Sequence, residues 1–339
     1  MAHMDIFNDN AFSLVSMTAA VERMPTVPTF LGSLNLFESE GITTNIASIE
    51  QVGQTLQLIK TSERGTNPGM GTTDKRTMRN FNIPRIADSD QVFASEIQGI
   101  RAFGTESELE TVVQKVAQKQ AKMLRKVALT LEYHRLGAIQ GILLDSDSST
   151  LYNYFTEFSI SQPAEIDFDL DNAAPARGAL MALVKSVKRT IIRALGEAAP
   201  GIRIKALCGD TFFDQFTSHS EVEKSYLNWQ DAASLRAGEV FSEFRWGEID
   251  WVNYQGTDDN STVAIGADKV KFVVQGVPGL FRRINGPGET FETVNTIGRD
   301  IYSMMVTDKD RNMWVQPEVY AYPLHICTRP EVLLRGRNT

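Results

Sequence analysis

Four histidines, two cysteines and two short acidic runs are the groups in this 339-residue chain that could do chemistry. Their spacing does not bring them together. His3, His134, His219 and His325 are scattered, and no cysteine or second histidine stands at metal-ligand spacing from any of them. They are expected to be satisfied structural histidines. His3 belongs to Met1-Ala2-His3-Met4, which reads as an expression-vector scar (residues 1–3) before a native start at Met4. Cys208 and Cys327 each sit in an apolar stretch, Ala206-Leu207-Cys208 and His325-Ile326-Cys327. Two buried thiols in a reducing compartment are expected, with a disulfide between them left open.

The acidic runs are Asp145-Ser146-Asp147 and Asp167-Phe168-Asp169-Leu170-Asp171. A calcium loop needs a turn glycine at its sixth position and a glutamate at its twelfth, and neither run has them. The alternation of Asp167–Asp171 with Phe168 and Leu170 suggests a strand with one solvated face. Gly69-Met70-Gly71 lacks the third glycine and following helix of a dinucleotide fingerprint, and no Gly-Lys-[Ser/Thr] completes a phosphate loop. A nucleophile elbow and an H-E-x-x-H motif are missing as well. Asn260-Ser261-Thr262 matches a glycosylation sequon but is expected to be a plain turn. Lys60 and Lys75 could in principle bond covalently to a neighbour's Asn, but nothing marks a catalytic partner. No catalytic residue, cofactor or metal is expected.

Composition sets the wider bounds. Hydrophobic residues make up 42% and charged residues 22%, enough for a sizeable core. A net charge of −8 argues against a surface built to bind nucleic acid all over. No run of 18 apolar residues exists, so no membrane partner is expected.

The strongest single pattern is an amphipathic helix over 105–144. Leu109, Val112, Val113, Val116, Met123, Leu124, Val127, Leu131, Ile139 and Ile142 recur at steps of three and four. Ordinary globular helices run about 8–20 residues, so a helix of this length suits a building block better than an enzyme. Its polar face carries Lys115, Lys119, Lys122, Arg125, Lys126 and Arg135, with Glu106, Glu108, Glu110 and Glu132. Acids first and bases later complement the helix dipole.

Ahead of it, residues 41–88 suggest a hairpin arm with strands near Thr55–Lys60 and Phe81–Ile83, ended by Pro84. The Gly-rich tip between them carries Arg64, Lys75 and Arg76, with Arg79 just beyond. A lone hairpin is marginal in water, so the arm would order best on a neighbouring subunit. Further on, Leu151–Phe158 suggests a strand and 177–195 a helix closed by Gly196. Strands are expected at 202–208, 241–246, 249–254, 263–265, 270–274, 302–307, 314–321 and 324–328. Asp210 is a candidate cap for the short helix holding Phe212, Phe213 and Phe216. The whole is α+β, with helices segregated from largely antiparallel strands.

Several stretches together resemble the major capsid proteins of tailed bacteriophages, the lambda-type major capsid protein E family. They are Phe81-Asn82-Ile83-Pro84-Arg85-Ile86 into the long helix, Gly141–Phe158, Cys208–Asp214 with Ser218–Val222, Phe291–Gly298 and Tyr322–Pro330. The family's Ser-Asn-Pro-Leu pattern is replaced here by Ala321-Tyr322-Pro323-Leu324. The resemblance implies a Hong Kong 97-type capsid fold. Its parts would be an N-terminal arm (4–40), an extended loop (41–88), a peripheral domain (89–175 and 299–339) with 105–144 as spine helix, and an axial domain (176–298). It implies pentamers and hexamers of the chain, an icosahedral virion capsid around double-stranded DNA held without sequence-specific binding, and assembly in the host bacterial cytoplasm. Scaffolding, portal and often decoration proteins would be its partners. On this reading Arg64, Lys75, Arg76, Arg79, Lys119, Lys122, Arg125 and Lys126 are candidate inter-subunit contacts. The alternative is a shell subunit of a cargo-enclosing bacterial nanocompartment of the same fold.

Overall fold

The computed structural model describes residues 30–52, 76–97, 112–172, 174–196, 201–227, 243–254, 256, 263–311 and 313–338. The described chain opens on one helical turn, α1 (Phe30–Ser33), followed by β1 (Glu38–Gly41). Next come the two rails of the arm, β2 (Ile46–Val52) and β3 (Arg76–Asn82), antiparallel from Ile46↔Asn82 to Val52↔Arg76. Ile83 still donates to the Asn45 carbonyl at 3.1 Å; Pro84, with no N–H, continues no ladder. The strand expected near Thr55–Lys60 and the tip with Arg64 and Lys75 lie outside the described residues.

β4 (Ile86–Ser89), β5 (Val92–Phe93) and α2 (Ala94–Ile97) lead toward the long helix α3 (Val112–Gln140). The stretch with Glu106, Glu108, Leu109 and Glu110 is outside the described residues. At its other end the expected helix is too long. It stops at Gln140 because Gly141 takes φ +81°, and a Cβ there would stand 2.4 Å from the Phe155 ring. Ile142–Leu144 is instead strand β6, paired with β7 (Thr150–Asn153) across the turn at Asp145–Ser149. The strand expected to run to Phe158 also stops early. Asn153 accepts hydrogen bonds from the amides of Phe155 and Thr156, at 3.1 and 3.4 Å, and so caps the helical turn α4 (Tyr154–Glu157).

β8 (Ile166–Asp167) precedes α5 (Ala179–Leu195), which starts after Gly178 at φ +81° and ends at Gly196 as expected. Then follow β9 (Arg203–Cys208), α6 (Asp210–Ser218) and α7 (Ser220–Leu227). Gly209, not Asp210, is the cap of α6; Asp210 is already inside its first turn. β10 (Glu243–Trp246) and β11 (Ile249–Asn253) form the expected hairpin, with positive φ at Gly247 and Glu248. Val263 and Ile265 are buried, but 263–265 is not a strand. The rest is β12 (Lys269–Gln275), β13 (Phe281–Asn285), β14 (Tyr302–Thr307), β15 (Trp314–Ala321), β16 (Pro323–Cys327) and β17 (Arg335–Arg337).

Three larger sheets result. One runs β10-β11-β9-β12-β17-β8, one β1-β13-β16, and one β14-β15-β4 with β5 also on β15. Most ladders are antiparallel, but β1–β13, β11–β9 and β17–β8 are parallel. The main core packs α5 and α6 on the six-stranded sheet, with Phe212 and Phe216 of α6 against Phe168, Trp251 and Phe272. Along α3, Met123, Leu124, Val127 and Leu131 pack on Val319 and Ala321 of β15, and Val116 packs on Val92 and Val315. Each such side chain contributes roughly 1.5–3 kcal/mol by leaving water. No helix among the described residues is long and apolar enough to cross a membrane.

Candidate assembly surfaces

The groups that could do chemistry stay apart or buried. His219 is satisfied: its Nδ1 accepts from the Glu221 amide at 3.3 Å. His134 on α3 and His325 on β16 are not, which corrects the expectation. Their rings lie 6.3 Å apart, both are buried, and none of their four nitrogens has a hydrogen-bond partner among the described residues. Burial pushes His134 down to about 4 and, with Arg283, Arg135 and His134 nearby, holds His325 well below the ordinary range. Phe37 meets the His325 ring edge-on at 5.2 Å. Cys208 and Cys327 are free and buried, and burial raises both thiols, which keeps them protonated and unreactive.

The acidic runs serve turns. Asp145 and Asp147 accept from the amides of Ser146 and Ser149 at 2.7 and 2.9 Å. The strand expected over Asp167–Asp171 ends at Asp167, whose side chain accepts from the Asp169 amide at 3.1 Å, and Asp169 turns at φ +49°. No group of three His, Cys, Asp or Glu among the described residues could hold a metal ion. The sequon at Asn260 is outside them.

The arm packs at its root on its own chain. Ala47, Ile49 and Phe81 face inward against Tyr154, Phe158, Leu324 and Ile326, while Ile46, Ser48, Glu50, Met78, Asn80 and Asn82 face outward. Tyr152 Oη donates to the Asn82 carbonyl at 2.9 Å. Arg79 turns inward, its guanidinium 5.2 Å from the centre of the Phe158 ring. Arg76 is the first residue of β3, opposite Val52.

Along α3 the bases divide. Lys119 is drawn into its own chain, to Asp90 at 3.2 Å, Glu96 at 3.3 Å and the Gln91 carbonyl. Lys126 reaches Asp88 at 2.9 Å. Lys122 and Arg125 are exposed on the same helix, two turns and one turn from the exposed Leu129. Glu132, expected on the polar face, is buried instead. Its carboxylate accepts from the amides of Leu31 (2.6 Å) and Gly32 (3.3 Å) at the start of α1 and pairs with Arg135 at 3.2 Å. Periodicity could not reveal this, because the partner lies about a hundred residues away.

One exposed apolar surface feature lies outside the candidate contacts that the sequence suggests. Between β13 and β14, Phe291, Val294 and Ile297 are 103%, 48% and 68% exposed. Their spacing of three, interleaved with Thr290, Thr293 and Thr296, was the available signal.

A family described as "Phage major capsid protein E" matches residues 13–338. The "Major capsid protein" of Salmonella phage Felix O1 (isolate Felix O1-VT1) is 24% identical, covering 96% of each chain. That of Pseudomonas phage KPP10 is 23% identical, covering 97% of each. Among solved structures, the capsid of cyanophage P-SCSP1u aligns with a TM-score of 0.53 at 11% identity, over 93% of this chain and 89% of that one. At that identity the likeness concerns the fold, and the fold is that of phage capsid proteins.

Proposed function

This chain belongs to the phage major capsid protein E family, and we propose that it builds its shell as pentamers and hexamers of an icosahedral head around double-stranded DNA. It is a structural subunit of the virion capsid and not an enzyme. The match over residues 13–338 carries the reading. A nanocompartment shell is not favoured, since the named relatives are phage major capsid proteins.

In this reading 41–88 is the extended loop, α3 the spine, 89–175 with 299–339 the peripheral domain and 176–298 the axial domain; 4–40 is the N-terminal arm. Arg64, Lys75 and Arg76 on the arm, with Lys122 and Arg125 on the spine, meet acidic surface on adjacent copies. Such rim charges set register and rate of association more than affinity. Arg79, Lys119 and Lys126 are engaged within their own chain, and as inter-subunit contacts they would meet an adjacent copy from those positions. A net charge of −8 suits a shell that encloses DNA without adsorbing it tightly. Scaffolding and portal proteins complete the assembly, with a decoration protein where the shell takes one, and it is made in the host bacterial cytoplasm.

Light scattering after size exclusion, with negative-stain microscopy, tests this. Rings or shells are expected from the purified protein, alone or with a scaffolding partner. Monomer alone at high protein concentration would count against it.

A further inference from the structure

The turn that carries Phe291, Val294 and Ile297 is bolted to the body. The Thr290 carbonyl accepts from the amides of Thr293 and Val294 at 3.0 and 2.8 Å, and the Thr293 carbonyl from Thr296 Oγ1 at 2.6 Å. Gly298 donates to the Ile42 carbonyl at 3.0 Å. The backbones meet so closely that a Cβ on Gly298 would lie 2.0 Å from the Asn285 carbonyl oxygen. Phe291 and Val294, three apart within this tight turn, lie on one side of it, and Asn295 at φ +59° redirects the chain toward Ile297. The core does not need them, since all three are exposed. An ordered apolar knob left in water marks a contact surface.

A hole adjoins the knob. Thr290 and Thr293 of the same turn, with Tyr302, Met304, Tyr320 and Tyr322, line a mainly apolar cleft of about 230 Å³. That is below the roughly 300–1,000 Å³ of small-molecule sites and closer to the size of a side chain. The charges around it are balanced. Arg85 pairs with Glu289 at 3.0 Å and Arg283 with Asp300 at 3.4 Å, while Glu292 and Arg299 are both exposed. A neutral rim suits neither polyanionic DNA nor a strongly charged partner.

Knob and hole side by side, inside a rim of both signs, make a self-complementary patch, and self-complementarity is what a two-fold contact between identical chains requires. We propose that this patch is a two-fold contact between two copies of this chain, the Phe291 turn of each seated in the tyrosine-lined cleft of the other. The contact rests on the shell-subunit reading. Being already ordered in the single chain, the turn loses little freedom on docking.

Phe291→Asp combined with Ile297→Ser tests it, with Phe291→Ala as the milder variant. Both are expected to melt like the parent chain, because the altered side chains are exposed. The assembled fraction should fall by about tenfold or more, the scale of a lost anchor side chain. Mixing Phe291→Cys with Met304→Cys chains in assembled particles should give an interchain disulfide on oxidation; the native cysteines are buried. Full assembly of both folded turn variants, or shells without that crosslink, would overturn the contact. Failure of the parent chain to assemble would instead overturn the shell-subunit reading.

Discussion

Glu132 and the histidine pair are the residues where burial has the clearest consequence. Glu132 accepts from two amides of α1, so it ties the first described segment to the middle of α3. Glu132→Ala leaves Leu31 N–H buried without its acceptor and is expected to cost about 2–4 kcal/mol in denaturant unfolding. Glu132→Gln, which keeps one acceptor oxygen, should cost less. His134 and His325 make the fold sensitive to acid. In the unfolded chain His134 takes up a proton near 6.5, but in the fold only near about 4. The unfolded state therefore binds more protons in that window. Stability is full above about pH 6.5 and falls as pH drops toward 4, by about 3 kcal/mol for His134 alone. His325 adds in the same direction. Urea midpoints measured across the window should show this slope, flatter in His134→Gln; identical slopes would argue that another group is responsible.

Among the elements, the junction between α3 and the β6–β7 hairpin depends on a single residue. Gly141 ends α3 at φ +81°, and the Phe155 ring occupies the place of a side chain there. Gly141→Ala should therefore lower stability by roughly 2 kcal/mol or more, from the left-handed backbone and the clash together. A melting temperature equal to the parent's would show that the junction relaxes freely. The arm root behaves differently from the lone hairpin that its sequence suggested. Its inner face is fixed by Phe81, Ile49 and Ala47 on the chain's own core, so order at the root needs no neighbour.

For the molecule as a whole, the remaining question is which parts serve folding and which assembly. Gly65–Thr73 lies in sequence between β2 and β3, and its deletion leaves every described core residue in place. The deletion variant should keep its circular dichroism and melting behaviour while forming far fewer rings or shells. Normal shells from it would remove the arm tip from the interface.

The α+β class, the long helix, a helix over 177–195 with its glycine cap, most C-terminal strands and the capsid family are legible in the sequence. These rest on local periodicity, on glycine and proline stops, and on motifs in a fixed order. Missed were the features that depend on a partner far along the chain. Glu132 and Lys122 look alike on a helical wheel, yet one lies under α1 and the other faces water. Lys119 and Arg79 turn inward because Asp90, Glu96 and Phe158 stand opposite them. The parallel pairing of β11 with β9, the meeting of His134 with His325, and the cleft beside Phe291 come from distant segments brought together. Burial and charge pairing are set by what packs across from a residue, and only the tertiary structure decides that.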